Sequence, residues 1–164
     1  MHGTVKTQKY TYPCTGEEHM SHELTVSLSR KGGVIDLDME SGALGVVHID
    51  AANLSADERA GTAKKLLAAS ALYCYCAALD KALDARHAQY EKIEGKATLE
   101  TGTDDKGRGR VTSIRLDVTV RMDQEYEFIF ERVEKIMKQG CLVTGSLEPA
   151  IRMVYNLELD CGDD

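Results

Sequence analysis

Five cysteines carry the chemistry in this 164-residue chain that goes beyond packing: Cys14, Cys74, Cys76, Cys141 and Cys161. A thiol serves as a small hydrophobe, a metal ligand or, once ionised, a nucleophile, so its neighbours decide which. Cys74 and Cys76 stand inside the apolar run TAKKLLAASALYCYCAALDKALDA, Thr62 to Ala85. Two positions apart on a helix they project about 200° from one another and cannot share one ion. His2, His19, His22, His48 and His87 are scattered, and Cys14 with His19 and His22 reads as a solvated polar loop, so neither a metal nor a cofactor is expected. Cys74 shares a helix face with Leu67, Ser70, Ala77, Ala78 and Lys81, whose small members leave room beside its sulfur. Cys76 shares one with Leu72, Tyr73, Leu79 and Leu83, a larger apolar set that makes it a core filler. Cys141 directly follows Gly140, where the opening turn of a further helix would offer backbone N–H groups to a thiolate. Cys74 and Cys141 are therefore the candidate reactive thiols, and Cys14 and Cys161 are read as spectators.

The elements that must position these thiols follow from periodicity. Residues Leu66 through Leu79 are apolar or small on every side apart from Ser70 and two Tyr hydroxyls, which predicts a central helix enclosed all round. Ser55 followed by Glu58 fits a capping box ahead of it. Upstream, Thr4 to Tyr12 reads as a strand. Leu24, Val26 and Leu28, the break at Arg30 to Gly33, then Val34, Ile35 and Leu37 read as a hairpin, with a further strand over Ala43 to Ile49. Downstream, Gln89 to Thr101 alternates weakly, Asp104 to Gly109 is a turn, and Val111 to Met122 alternates cleanly. Phe128, Ile129, Val133, Ile136 and Met137 give Glu125 to Gln139 a helical stripe that Gly140 stops; a short helix over Cys141 to Glu148 and a strand over Ile151 to Leu159 complete the chain. The pattern is α+β with antiparallel sheets around a buried helix, in one domain spanning residues 1–164. A second subunit is one candidate for covering the far side of the helix.

Composition bounds the rest. Hydrophobic residues at 43% and charged residues at 29% are globular proportions, and no apolar stretch is expected to reach bilayer-spanning length. A net charge of −7 argues against a phosphate backbone or an anionic membrane as partner, because both need clustered Lys and Arg. The one basic cluster, Lys106 to Arg110, is split by Gly107 and Gly109 and reads as part of the turn. An odd cysteine count at irregular spacing and an opening segment, MHGTVKTQKY, without a secretory pattern make the cytosol the expected compartment.

LLAASALYC at Leu66 to Cys74, followed by an amphipathic helix and then GCLVTGSLEPA at Gly140 to Ala150, resembles the pair of cysteine motifs of the OsmC/Ohr superfamily. That resemblance implies a two-layer α+β subunit intertwined with a second copy in a homodimer. It also implies a peroxidase in which Cys74 is the peroxidatic thiol, Cys141 the resolving thiol and Arg30, at the hairpin turn SRKGG, the cation that activates Cys74. The substrate would be an organic or hydrogen peroxide and the reductant a dithiol. Lys64 stands where the family has a glutamate, and CLVT lacks the family's proline after the second cysteine. These departures motivate an alternative, a non-enzymatic module of the same fold that binds a small apolar ligand or senses redox state.

Overall fold

A computed structural model describes residues 23–162, so the expected strand over Thr4 to Tyr12 and the group Cys14, His19 and His22 lie outside the described residues. The chain divides into two compact units, Met1–Asn53 and Leu54–Asp164. In the first, β1 (Ser27–Lys31), β2 (Val34–Asp38) and β3 (Val46–Asp50) form an antiparallel sheet in the order β1-β2-β3. Gly32 takes the left-handed φ of +63° that the tight hairpin needs. Arg30 lies on β1 opposite Ile35. Alternation gathers Leu28, Ile35, Leu37, Val47 and Ile49 on one sheet face together with Arg30, and Leu28 remains 63% exposed there.

The second unit begins with the helix α1 (Ala56–Asp84). Its capping box is present: Ser55 N–H donates to Glu58 Oε2 at 2.9 Å, and Glu58 N–H donates to Ser55 Oγ at 3.3 Å. The strands β4 (Lys92–Thr103), β5 (Gly109–Arg121) and β6 (Arg152–Asp160) form a sheet in the order β4-β5-β6. The turn between β4 and β5 is built on Asp104, whose carboxylate accepts from the backbone of Lys106 and Arg108 and pairs with the side chains of Arg108 and Arg110 at 2.8 Å. Two members of the basic cluster are thus neutralised locally. Ile114, Leu116, Val118 and Val120 of β5 are fully or almost fully buried beneath the helices, while the alternate residues Arg115, Asp117 and Arg121 lie on the opposite face.

Three features differ from the sequence expectation. First, β6 runs parallel to β5, with Leu116 opposite Tyr155. Its alternation fits either direction, but the preceding segment contains α2 (Glu127–Met137) and α3 (Leu142–Leu147), a crossover long enough to return the strand to the same end of the sheet. Second, α2 buries Phe130, Val133 and Met137, whereas Phe128 is exposed with the Arg132 guanidinium 4.2 Å from its ring centroid. Third, α1 is enclosed on one face only. Ala68, Ala71, Tyr75, Leu79 and Leu83 pack inward, while Tyr73 is 77% exposed. By length and composition α1 also meets the criterion for a membrane span, contrary to the expectation, although its buried stripe joins the core shared with β5 and α2.

Candidate functional site

Cys74 and Cys141 come from opposite ends of the second unit's sequence and meet where α1 packs against α3. Gly140 makes this approach possible. It ends α2 at φ +73°, and a Cβ on it would sit 2.5 Å from Thr144 Oγ1 and 2.6 Å from Tyr155 Oη. The chain then enters α3 through Cys141 in extended conformation, as an N-cap whose backbone N–H donates to Thr144 Oγ1 at 2.8 Å.

The two thiols lie near enough to act on each other, and their acidities are driven apart. Burial pushes Cys74 up, and its hydrogen bond to Cys141 pushes it further, against a smaller downward pull from the backbone N–H groups of Val143 and Leu142. Burial also acts upward on Cys141. There it is outweighed by hydrogen bonds from the Cys74 thiol, the Thr144 hydroxyl and the N–H groups of Thr144 and Val143, so the net shift is downward. Cys141 is therefore the stronger acid of the pair and Cys74 the weaker. Two sulfurs so disposed form a dithiol that a two-electron oxidant can convert to a disulfide.

Cys76 has a different setting. Burial raises its pKa, and its Sγ lies 3.6 Å from where a Cβ on Gly95 would stand, with Leu72 Cδ1 at 2.8 Å from the same point. A glycine in β4 lets α1 approach the sheet here, and Cys76 fills the contact. Arg30 belongs to the first unit, on β1. Lys64 is a half-buried residue in the first half of α1. Cys161 is an exposed free thiol after β6. Among the described residues, no group of three His, Cys, Asp or Glu side chains is arranged to hold a metal ion.

Sequence reasoning missed four residues around the dithiol. Thr144, fully buried, accepts from Cys141 N–H and donates toward Cys141 Sγ at 3.4 Å. Tyr155 on β6 brings its hydroxyl, like that of Thr144, against Gly140 and donates to Glu148 Oε1 at 2.8 Å. Its ring stacks on Tyr75 of α1, centroids 5.1 Å apart and planes 5° from parallel. The available signal was the spacing Cys141-x-x-Thr144, which places a hydroxyl at the third helical position, where capping boxes reach back. Burial raises Tyr155 to about 12 and also raises Tyr75, so both phenols remain neutral.

The family model described as OsmC-like protein matches residues 56–156 of this chain. No curated protein matches it. Among solved structures, an OsmC-like protein from Mycoplasma pneumoniae aligns with a TM-score of 0.63 at 13% identity, covering 85% of this chain and 99% of its own. An organic hydroperoxide resistance protein from Elizabethkingia anophelis gives 0.56 at 13%, covering 86% and 100%. That of Bacillus subtilis gives 0.54 at 19%, covering 83% and 98%. At these identities the likeness is one of fold.

Proposed function

The chain belongs to the OsmC-like protein family, and from that premise we propose that it is a thiol-dependent peroxidase reducing organic or hydrogen peroxides in stress defence. The observation that carries the proposal is the packing of α1 against α3, which brings Cys74 and Cys141 near enough to act on each other's acidity. The organic hydroperoxide resistance proteins that share the fold supply the substrate class.

In this reading a proton passed between the two thiols gives the cycle its order. Cys74 passes its proton to Cys141, and the N–H groups of Leu142 and Val143 hold the Cys74 thiolate that results. That thiolate attacks one peroxide oxygen, the O–O bond breaks, and Cys74 becomes a sulfenic acid. The departing alkoxide or hydroxide takes the proton from Cys141, which is thereby ionised for the next step. Cys141 then attacks the Cys74 sulfur, forms the S–S bond and expels hydroxide, which takes a proton from the solvent and leaves as water. A dithiol reductant restores both thiols by exchange, its own sulfurs ending as a disulfide. Arg30 is proposed as the cation that favours ionisation of Cys74. We further propose that the protein works in the cytosol, where reduced thiols persist, as a homodimer whose second copy covers Tyr73 and the apolar sheet face around Leu28.

One equivalent of tert-butyl hydroperoxide added to the reduced protein should yield a Cys74–Cys141 disulfide by peptide mapping, while light scattering on the same sample returns twice the chain mass. Cys74→Ser should abolish consumption, and Arg30→Ala should slow it about 10-fold or more, the loss of roughly 1.4 kcal/mol or more of transition-state stabilisation. Thiols that stay reduced, or a Cys74→Ser protein that consumes peroxide at the parent rate, would sink the peroxidase reading. Disulfide formation without sustained turnover would favour a redox sensor, and a monomer mass would remove the dimer.

A further inference from the structure

A bond between Cys74 and Cys141 presents an incoming thiol with two sulfurs, and exchange at either one expels the other as a thiolate. The surroundings of the two sulfurs are unequal. Cys141 Sγ accepts from the backbone N–H of Thr144, one arm of the capping box that opens α3, and from the Thr144 hydroxyl at 3.4 Å. Both donors are held in place, because Thr144 is fully buried and its oxygen accepts from Cys141 N–H at 2.8 Å. Among the described residues, no other hydroxyl hydrogen-bonds to a cysteine sulfur. Cys74 has a more open flank: Ser70, one turn earlier on the same helix face, is small and exposed. The acidities follow the same order, Cys141 being the stronger acid, and the thiol of lower pKa leaves faster.

We propose that the reductant's thiolate attacks the Cys74 sulfur and expels Cys141, so that the mixed disulfide formed in each cycle is carried by Cys74. The reductant's first sulfur bonds to Cys74 Sγ, the bond between Cys74 and Cys141 breaks, and its electron pair departs on Cys141 Sγ, where the two Thr144 donors receive it. The reductant's second thiolate then attacks the first sulfur and expels Cys74. The reductant loses two electrons and ends as a disulfide, and the two protons it releases restore both protein thiols. The inference rests on the dithiol cycle proposed above and adds a direction to it: the Cys74 sulfur is the electrophile in both halves, attacked first by Cys141 and then by the reductant.

Making the disulfide with diamide keeps peroxide out of the test. The oxidised protein is exposed briefly to 2-mercaptoethanol, the freed thiol is trapped with N-ethylmaleimide, and peptide mapping locates both labels. Mercaptoethanol on Cys74 with maleimide on Cys141 should exceed the reverse pattern about 10-fold, as the difference in leaving ability requires. Dithiothreitol should reduce the disulfide of Thr144→Val about 3-fold more slowly or worse, while Thr144→Ser, which keeps the hydroxyl, should hold the parent rate. Equal labelling, mercaptoethanol chiefly on Cys141, or a Thr144→Val disulfide reduced at the parent rate would overturn the assignment. If Thr144→Val does not fold, the labelling pattern of the parent protein decides alone. A protein in which diamide joins no Cys74–Cys141 bond loses this inference and the peroxidase reading together. A bond that diamide makes and peroxide does not, opened with Cys74 carrying the adduct, would keep the direction of attack and lose the peroxidase.

Discussion

Gly140 is the residue on which the site's geometry turns. A side chain there meets two obstacles at once, a φ of +73° that L-residues adopt at a cost and the Thr144 and Tyr155 oxygens within 2.6 Å of its Cβ. Gly140→Ala is expected to lose about 1–3 kcal/mol of stability and to force Thr144 away from Cys141. Urea unfolding measures the first effect; an unchanged midpoint would contradict it. As candidates, the two thiols were legible in the sequence, because small residues around Cys74 and a glycine stop before Cys141 have direct physical meaning. Tyr155 was not. In a strand that alternates, a tyrosine at a core-facing position reads as packing, and only the folded register brings its hydroxyl against Gly140 and to Glu148.

The elements came through the sequence more faithfully than their pairings. β5 was legible because Ile114, Leu116, Val118 and Val120 alternate with more polar residues, and these four are its buried set. The capping box of α1 was legible because it involves only local spacing. The parallel direction of β6 was not, since an alternating strand carries no mark of polarity. The buried face of α2 was misread for a related reason: Phe128 and Phe130 are both apolar, and cation–π contact with Arg132 lets Phe128 remain in solvent. Packing of α1 on the sheet supports every contact of the dithiol. Leu79, fully buried on the inner face of that helix, should therefore cost about 2–5 kcal/mol when cut to alanine, since its cavity lies in a close-packed core. Chemical denaturation reads this loss, and a change below about 1 kcal/mol would mean that the helix collapses onto the vacated space.

At the scale of the molecule, the two units differ in how self-sufficient they are. The second has a contiguous core of Tyr75, Leu79, Leu83, Ile114, Leu116, Val118, Val120, Phe130 and Val133. The first is a three-stranded sheet with Leu24, Val26, Leu28, Leu44 and Val46 more than half exposed. Apolar sheet faces of this kind need a cover, which is why the sequence's early hint of a second subunit persists as a proposal. The enclosed helix was expected for the same reason: hydrophobicity tells which surface avoids water, without telling whether the same chain or another excludes it.

The meeting of Cys74 and Cys141 has a thermal consequence. Between the two thiols lie the end of α1, all of β4 and β5 and the whole of α2, so a bond between them would staple most of the second unit into one covalent ring. On the chain-entropy model, a ring of this size restricts the unfolded chain by about 4 kcal/mol, which raises Tm on the order of 10 °C. Calorimetry of the peroxide-treated protein against the reduced one should show that rise, and equal melting temperatures would contradict it. Heat tolerance and protease resistance would then track the oxidation state of the two thiols, making the oxidised copies the hardest to unfold.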